Sequence, residues 1–148
     1  NLHMLITQLL PRLRIIANNG ENYYIDENGQ AMNPMGYVAD LAVATGHIDK
    51  KYAKTKLAEL GRFLRQSDFW DQQIEQIYVD EKRQLSMVPR LGDQIIRFGT
   101  TDSISKKFRN LRTFYDKVLP TVGWNKYEAI DIARTNQIVC VKRENNKS

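Results

Sequence analysis

Apolar positions recur with two different periods along the chain. Leu2, Met4 and Ile6 alternate with polar neighbours, and Leu13, Ile15 and Ile16 follow Pro11. Residues 2–17 therefore read as strand, bent or edge-placed at Pro11 because proline has no N–H for a ladder. Asn18-Asn19-Gly20 is a turn signal, Tyr23–Ile25 a short strand, and Asp26–Gly29 a second turn. Residues 33–50 carry no clean period. Pro34, Gly36 and Gly46 suggest a loop there, with a strand over Leu41–Thr45. From 51 to 67 the period changes: Ala53, Leu57, Leu60 and Leu64 share one face of a helix with Phe63 beside them, and Lys54, Lys56, Glu59, Arg62 and Arg65 lie opposite.

A β-meander follows, with strands over Ile74–Asp80, Gln84–Arg90 and Gln94–Phe98 and turns at 81–83 and 91–93. A second helix carries Ile104, Phe108, Leu111, Tyr115 and Val118 on one face. Asp102 or Ser103 is its candidate N-cap, and Pro120 and Gly123 end it. Two strands close the chain, Glu128–Ala133 and Gln137–Val141, with a turn at Thr135-Asn136 and a polar tail over 142–148. The order is strands, helix, three strands, helix, two strands. No regular βαβ alternation is visible. The expected fold is α+β: a mostly antiparallel sheet of meanders with two amphipathic helices packed on one face.

At 148 residues, 42% of them hydrophobic and 26% charged, the chain can build a core without metal or disulfide. Its lone cysteine, Cys140, allows no intrachain bridge and reads as a small buried hydrophobe in a strand. Net charge is +5, but acids and bases are interleaved and no run of five like charges appears. Lys106, Lys107, Arg109, Arg112 and Lys117 read as the wet side of the second helix. No stretch nears the ~20 apolar residues of a membrane span. The chain opens on Asn1 without a signal peptide, so it reads as a fragment with any anchor upstream.

Catalytic chemistry has little to stand on. His3 and His47 fall in no metal-binding spacing, and one cysteine cannot complete a tetrahedral set. Nucleophile elbows and phosphate loops are absent. Asn125-Lys126-Tyr127-Glu128 has the look of a guanine-reading motif but lacks the phosphate loop that would go with it. Asp80, Glu81 and Asp93 sit at turns, where acids bond their own backbone. No cofactor, metal, nucleic acid or small-molecule substrate is expected. The other reading is a module that meets nucleic acid or a membrane surface with its basic side chains, supported by charge alone.

The order of several motifs is more telling. W-D-Q-Q-I-E-Q-I-Y-V-D begins at Trp70, and L-S-M-V-P-R-L-G-D-Q runs from Leu85 to Gln94. I-I-R-F-G (95–99), K-F-R-N-L-R-T-F-Y (107–115), G-W-N-K-Y-E-A-I-D-I (123–132) and N-Q-I-V-C (136–140) follow. Upstream, Gln8 to Ile15 leads into Tyr24-Ile25-Asp26 and Gly29. Together these resemble the extracytoplasmic β domain of the FtsQ/DivIB cell-division family, in its Bacteroidetes-type form, over nearly the whole chain.

That resemblance implies an organisation in which residues 1–10 are the last strand of an upstream POTRA domain and 11–148 the β domain. It implies a single-pass inner-membrane protein, anchored through an upstream helix, with this domain in the periplasm. It implies a non-catalytic divisome scaffold that docks the membrane proteins FtsB and FtsL and so helps regulate septal peptidoglycan synthesis. The family's partner site lies on the last strands, matching Ala129, Ile130, Asp131, Ile132, Ala133 and Arg134 and then Gln137, Ile138, Val139, Cys140 and Val141 here. A terminal strand leaves one backbone edge unpaired, to which a partner segment can add a strand. Val139 and Val141 are expected to face opposite to Ile138 and Cys140, and proline at Val139 to remove a donor from that edge. The Trp-containing C-terminal stretch of some members is absent, and Arg134-Thr135-Asn136 stands where an aromatic-polar turn is commoner.

Overall fold

Nine strands form one sheet in a computed structural model that describes residues 10–33 and 41–144. In chain order the elements are β1 (Leu13–Ala17), β2 (Asn22–Ile25), β3 (Ala31–Met32) and β4 (Ala42–Gly46). A continuous helical run follows: α1 (Lys50–Tyr52), a π-helical turn (Ala53–Leu57) and α2 (Ala58–Gln66). Then come α3 (Asp68–Gln73), β5 (Ile74–Val79), β6 (Leu85–Pro89), β7 (Ile95–Gly99), α4 (Ile104–Lys117), α5 (Leu119–Val122), β8 (Tyr127–Asp131) and β9 (Val139–Lys142).

The strand order is β3-β2-β1-β4-β5-β6-β7-β8-β9. Five neighbouring pairs are antiparallel and three, β1–β4, β4–β5 and β7–β8, are parallel. The class is α+β and the sheet is mixed. There is no regular βαβ alternation, but two such units are present: the helices between them carry β4 across to β5, and α4 with α5 carries β7 to β8. A parallel neighbour needs such a crossover because a short turn cannot return the chain to the same end of the sheet.

One face of the sheet holds the core. Leu13, Ile15, Ala44, Ile77, Val79, Leu85, Met87, Ile96, Phe98 and Ile130 point into it, alternating with side chains on the opposite face. Onto that core α2 and α4 pack side by side, with Phe63 stacked on Phe108 at 4.8 Å. Phe108 also meets Trp70 at 5.1 Å and Phe98 at 5.0 Å, so helix layer and sheet share one aromatic cluster. The opposite face carries Ile16, Tyr78, Ile95 and Val139, each more than a third exposed.

Local chemistry explains several boundaries. Asp49 caps α1 by accepting from Tyr52 N at 2.7 Å and pairs with Arg83 at 2.8 Å, which ties the β5–β6 turn to the helix start. Both contacts hold its carboxyl below the ordinary 3.8. The stabilisation they give is therefore present above the unfolded pKa and is lost as pH falls through the lower folded value. Ser67 caps α3 through Trp70 N at 3.2 Å, marking a helix that no apolar stripe announces because only Trp70 in it is buried. Ser103 occupies the N-cap position of α4 with φ 54° and no side-chain bond to the helix, while Asp102 accepts from the Thr100 hydroxyl.

Lys107 departs from the expected wet face. It is 2% exposed, and its Nζ donates to Thr100 O at 2.8 Å while lying over the Phe98 ring. Burial lowers its pKa from 10.5. The expected strand over Leu2–Leu10, and with it the domain boundary at residue 10, falls outside the described residues except for Leu10.

Candidate functional site

β8 forms where Tyr127 and Ile130 supply strand formers just after Gly123 ends α5. Asp131 ends it: its Oδ1 accepts from Ala133 N at 2.9 Å, turning the chain away. The connector to β9 is held to the helix layer by Asn110, whose Nδ2 donates to Thr135 O at 3.0 Å. β9 then runs antiparallel to β8, with Asp131 opposite Val139, Ile130 opposite Cys140 and Ala129 opposite Val141. A bulge between Tyr127 and Ala129 shifts the register.

β8 is paired on both sides, to β7 and β9. Ala129, Ile130 and Ile132 are 2%, 0% and 0% exposed, which leaves those three side chains no surface for a partner. β9 is the last strand of the sheet, and among the described residues nothing pairs with its outer side. Arg134, Gln137 and Val139 are exposed, while Asp131, Ala133, Ile138, Cys140 and Val141 are half-buried. Ile138 and Cys140 pack against the core. Val139 and Val141 face the opposite side of the sheet, beside Ala129 and Ile95.

The backbone directions follow from two bonds. Ile132 N donates to Arg97 O at 2.9 Å, so Ile130 and Ile132 turn their peptide groups to β7 and the alternate residues, Ala129 and Asp131, turn theirs to β9. Arg143 N donates to Lys126 O at 3.0 Å, so Arg143, Val141 and Val139 face β8. The N–H groups of Cys140 and Lys142 consequently point outward. This corrects the expectation for Val139: proline there breaks a bond inside the sheet rather than removing an outward donor. Lys142, assigned to the tail by its charge, is part of the strand and carries one of the two outward donors.

Two hollows flank β9. On the helix side, a hollow of about 390 Å³ lies between α4 and the connector, walled by Phe114, Val118, Ile138, Lys117 and Asn110. On the other side, Asp131, Ala133, Arg134, Gln137 and Val139 line one of about 430 Å³. Val118 was legible only as part of the helix stripe and Phe114 was not singled out; nothing local marks either as bordering the edge. Burial pushes the Cys140 thiol above its ordinary 9.0, the opposite of what activates a nucleophile. Among the described residues no group of three or more His, Cys, Asp or Glu side chains is placed to hold a metal ion.

The fold and this edge define an α+β sheet domain with an open terminal strand. The chain belongs to the FtsQ/DivIB, C-terminal related family, whose model matches residues 10–141. That family points to a role in cell division, is typically non-catalytic, and its domain is extracytoplasmic in general. No curated protein matches the chain. Among the described residues no helix is long and apolar enough to cross a membrane.

Proposed function

We propose that this chain is a non-catalytic divisome scaffold, acting in the periplasm of a protein anchored in the inner membrane by an upstream helix. It docks FtsB- and FtsL-type partners by accepting a strand along the outer side of β9, and through them helps regulate septal peptidoglycan synthesis. The observation that carries this reading is the outer side of a four-residue strand at the end of the sheet, unpaired among the described residues. Main-chain bonds to Cys140 and Lys142 supply affinity, and pockets beside alternate side chains supply selectivity. A partner side chain on the helix side of the added strand lies against Phe114, Val118 and Ile138. One on the other side lies by Val139, Val141 and Arg134. The opposite edge, β3, has two residues and offers less ladder.

Calorimetric titration of the chain with the extracytoplasmic segments of FtsB- and FtsL-type partners tests this. Lys142→Pro removes an outward donor and sets a ring where the partner backbone must approach, leaving the β8 side of the ladder intact. One lost bond with an unpaired carbonyl left on the partner costs about 1.5–4 kcal/mol, so binding weakens by roughly tenfold or more. Lys142→Ala, which keeps the N–H, binds within about threefold of the parent, as a screened rim charge should. Unchanged affinity in a folded Lys142→Pro variant would reject this edge.

A further inference from the structure

Trp124 stands out from the rest of the molecule. The chain has two tryptophans; Trp70 is 4% exposed, in the aromatic core, whereas Trp124 is 39% exposed. An edge-on contact with Tyr115, at 5.2 Å between centroids, steadies the ring. It sits in a segment in which every residue from Pro120 to Lys126 is exposed, and Val122, at 36%, lies two residues before it. A tryptophan and a valine exposed at the end of α5 and just beyond it are costly to leave in water.

The charge around this tip has one sign. No acidic residue occurs from Lys117 to Tyr127. Lys117 and Lys126 are exposed at its two ends, and Arg143 closes over its base, donating to Asn125 O at 3.2 Å and Tyr127 O at 3.4 Å. Of the acids bordering the segment, Asp116 is engaged by Arg112 at 3.2 Å, Glu128 lies on β8, and Glu144 follows the end of β9. The Arg143 bonds stiffen the loop, so its apolar side chains are presented with little ordering left to pay.

We propose that the Leu119–Lys126 tip is a contact for an anionic bilayer surface. Trp124 and Val122 enter the headgroup region, where an indole's apolar body and N–H are both accommodated. Lys117, Lys126 and Arg143 lie against the lipid phosphates. Neither part suffices alone: a small apolar insertion or a few charges bind weakly, and the two together give reversible attachment. Each basic residue near an anionic surface is worth about fivefold in partitioning. The contact needs no protein partner, so its test is run without one, although Lys117 also borders the hollow beside β9.

The experiment is tryptophan emission and co-sedimentation of the 148-residue chain with vesicles of phosphatidylglycerol and phosphatidylcholine, beside vesicles of phosphatidylcholine alone. Binding to the anionic vesicles with a blue shift, falling as salt is raised, is the expected result. Trp124→Ala should lose the shift and weaken binding roughly tenfold, with the Trp70 emission unmoved. Lys117→Glu combined with Lys126→Glu changes only exposed positions and should abolish binding, with thermal melting confirming the fold. Three outcomes overturn the proposal: no binding at millimolar lipid, binding indifferent to these substitutions, or a shift produced instead by soluble glycan strands without lipid.

Discussion

Phe108→Ala is expected to destabilise the domain by about 3–5 kcal/mol, the range for emptying an aromatic site in a core. Phe108 is 1% exposed and touches Phe63 of α2, Trp70 of α3 and Phe98 of β7. These rings belong to different layers, so no single element can collapse into the space left behind. At about 3 °C per kcal/mol for a chain of this size, melting should fall by roughly 10–15 °C. Phe108→Leu, which keeps most of the volume, should lose about 1–2 kcal/mol. A loss below ~1 kcal/mol in Phe108→Ala by urea unfolding would mean that the helices do not meet the sheet through this cluster.

Gly46→Ala is the second substitution with a large expected effect. Gly46 ends β4 with φ at 109°, a conformation that side chains disfavour by about 1–2 kcal/mol. A Cβ there would run into the Val79 carbonyl of the neighbouring strand and within 3.0 Å of the Tyr78 ring. The local geometry is fixed by Gly46 O accepting from Asn18 N at 2.8 Å and by Val79 O accepting from His47 N at 2.9 Å. Relief requires the centre of the sheet to shift, and overpacking adds about 1–3 kcal/mol, so a total near 2–5 kcal/mol is expected. Gly20→Ala is the control: φ is 95° but nothing lies within 4 Å of the added atom, so only the conformational part should appear. Equal losses at the two glycines by urea unfolding would contradict the close approach of β4 and β5.

The strands of the central meander were legible because buried Ile77 and Val79, then Leu85 and Met87, alternate with exposed or half-buried neighbours. Helix α4 was legible for the analogous reason at its own period. Lys107 shows where residue type misled: its position, between Ile104 and Leu111 at helical spacing, is on the inward stripe. A long aliphatic stem that can pass its charge to a carbonyl takes a core position that a list of charges assigns to water. The parallel pairs β1–β4 and β4–β5 left no local mark, because parallel strands meet through distant crossovers rather than through a turn. The two-residue β3 is too short to have a period.

At the candidate edge, alternation correctly separated Val139 and Val141 from Ile138 and Cys140, since side-chain faces follow from parity alone. Which amides point outward does not. That depends on the register of β9 against β8, set by the bulge near Ala129 and by the bond from Arg143 N to Lys126 O. Burial of Ala129, Ile130 and Ile132 likewise depends on β7 arriving on the far side of β8, through a crossover that no short motif announces.

The most direct measurement of strand addition is residue-resolved amide hydrogen exchange of β9, with and without a saturating FtsB-type extracytoplasmic segment. In the free domain, Val139 and Val141 are bonded to β8 and exchange slowly, while Cys140 and Lys142 exchange fast. Addition of the partner should slow Cys140 and Lys142 by about fivefold or more, the factor that one new hydrogen bond of typical net strength, about 1 kcal/mol, implies. Partner binding that leaves both of those amides exchanging as before would contradict docking at β9.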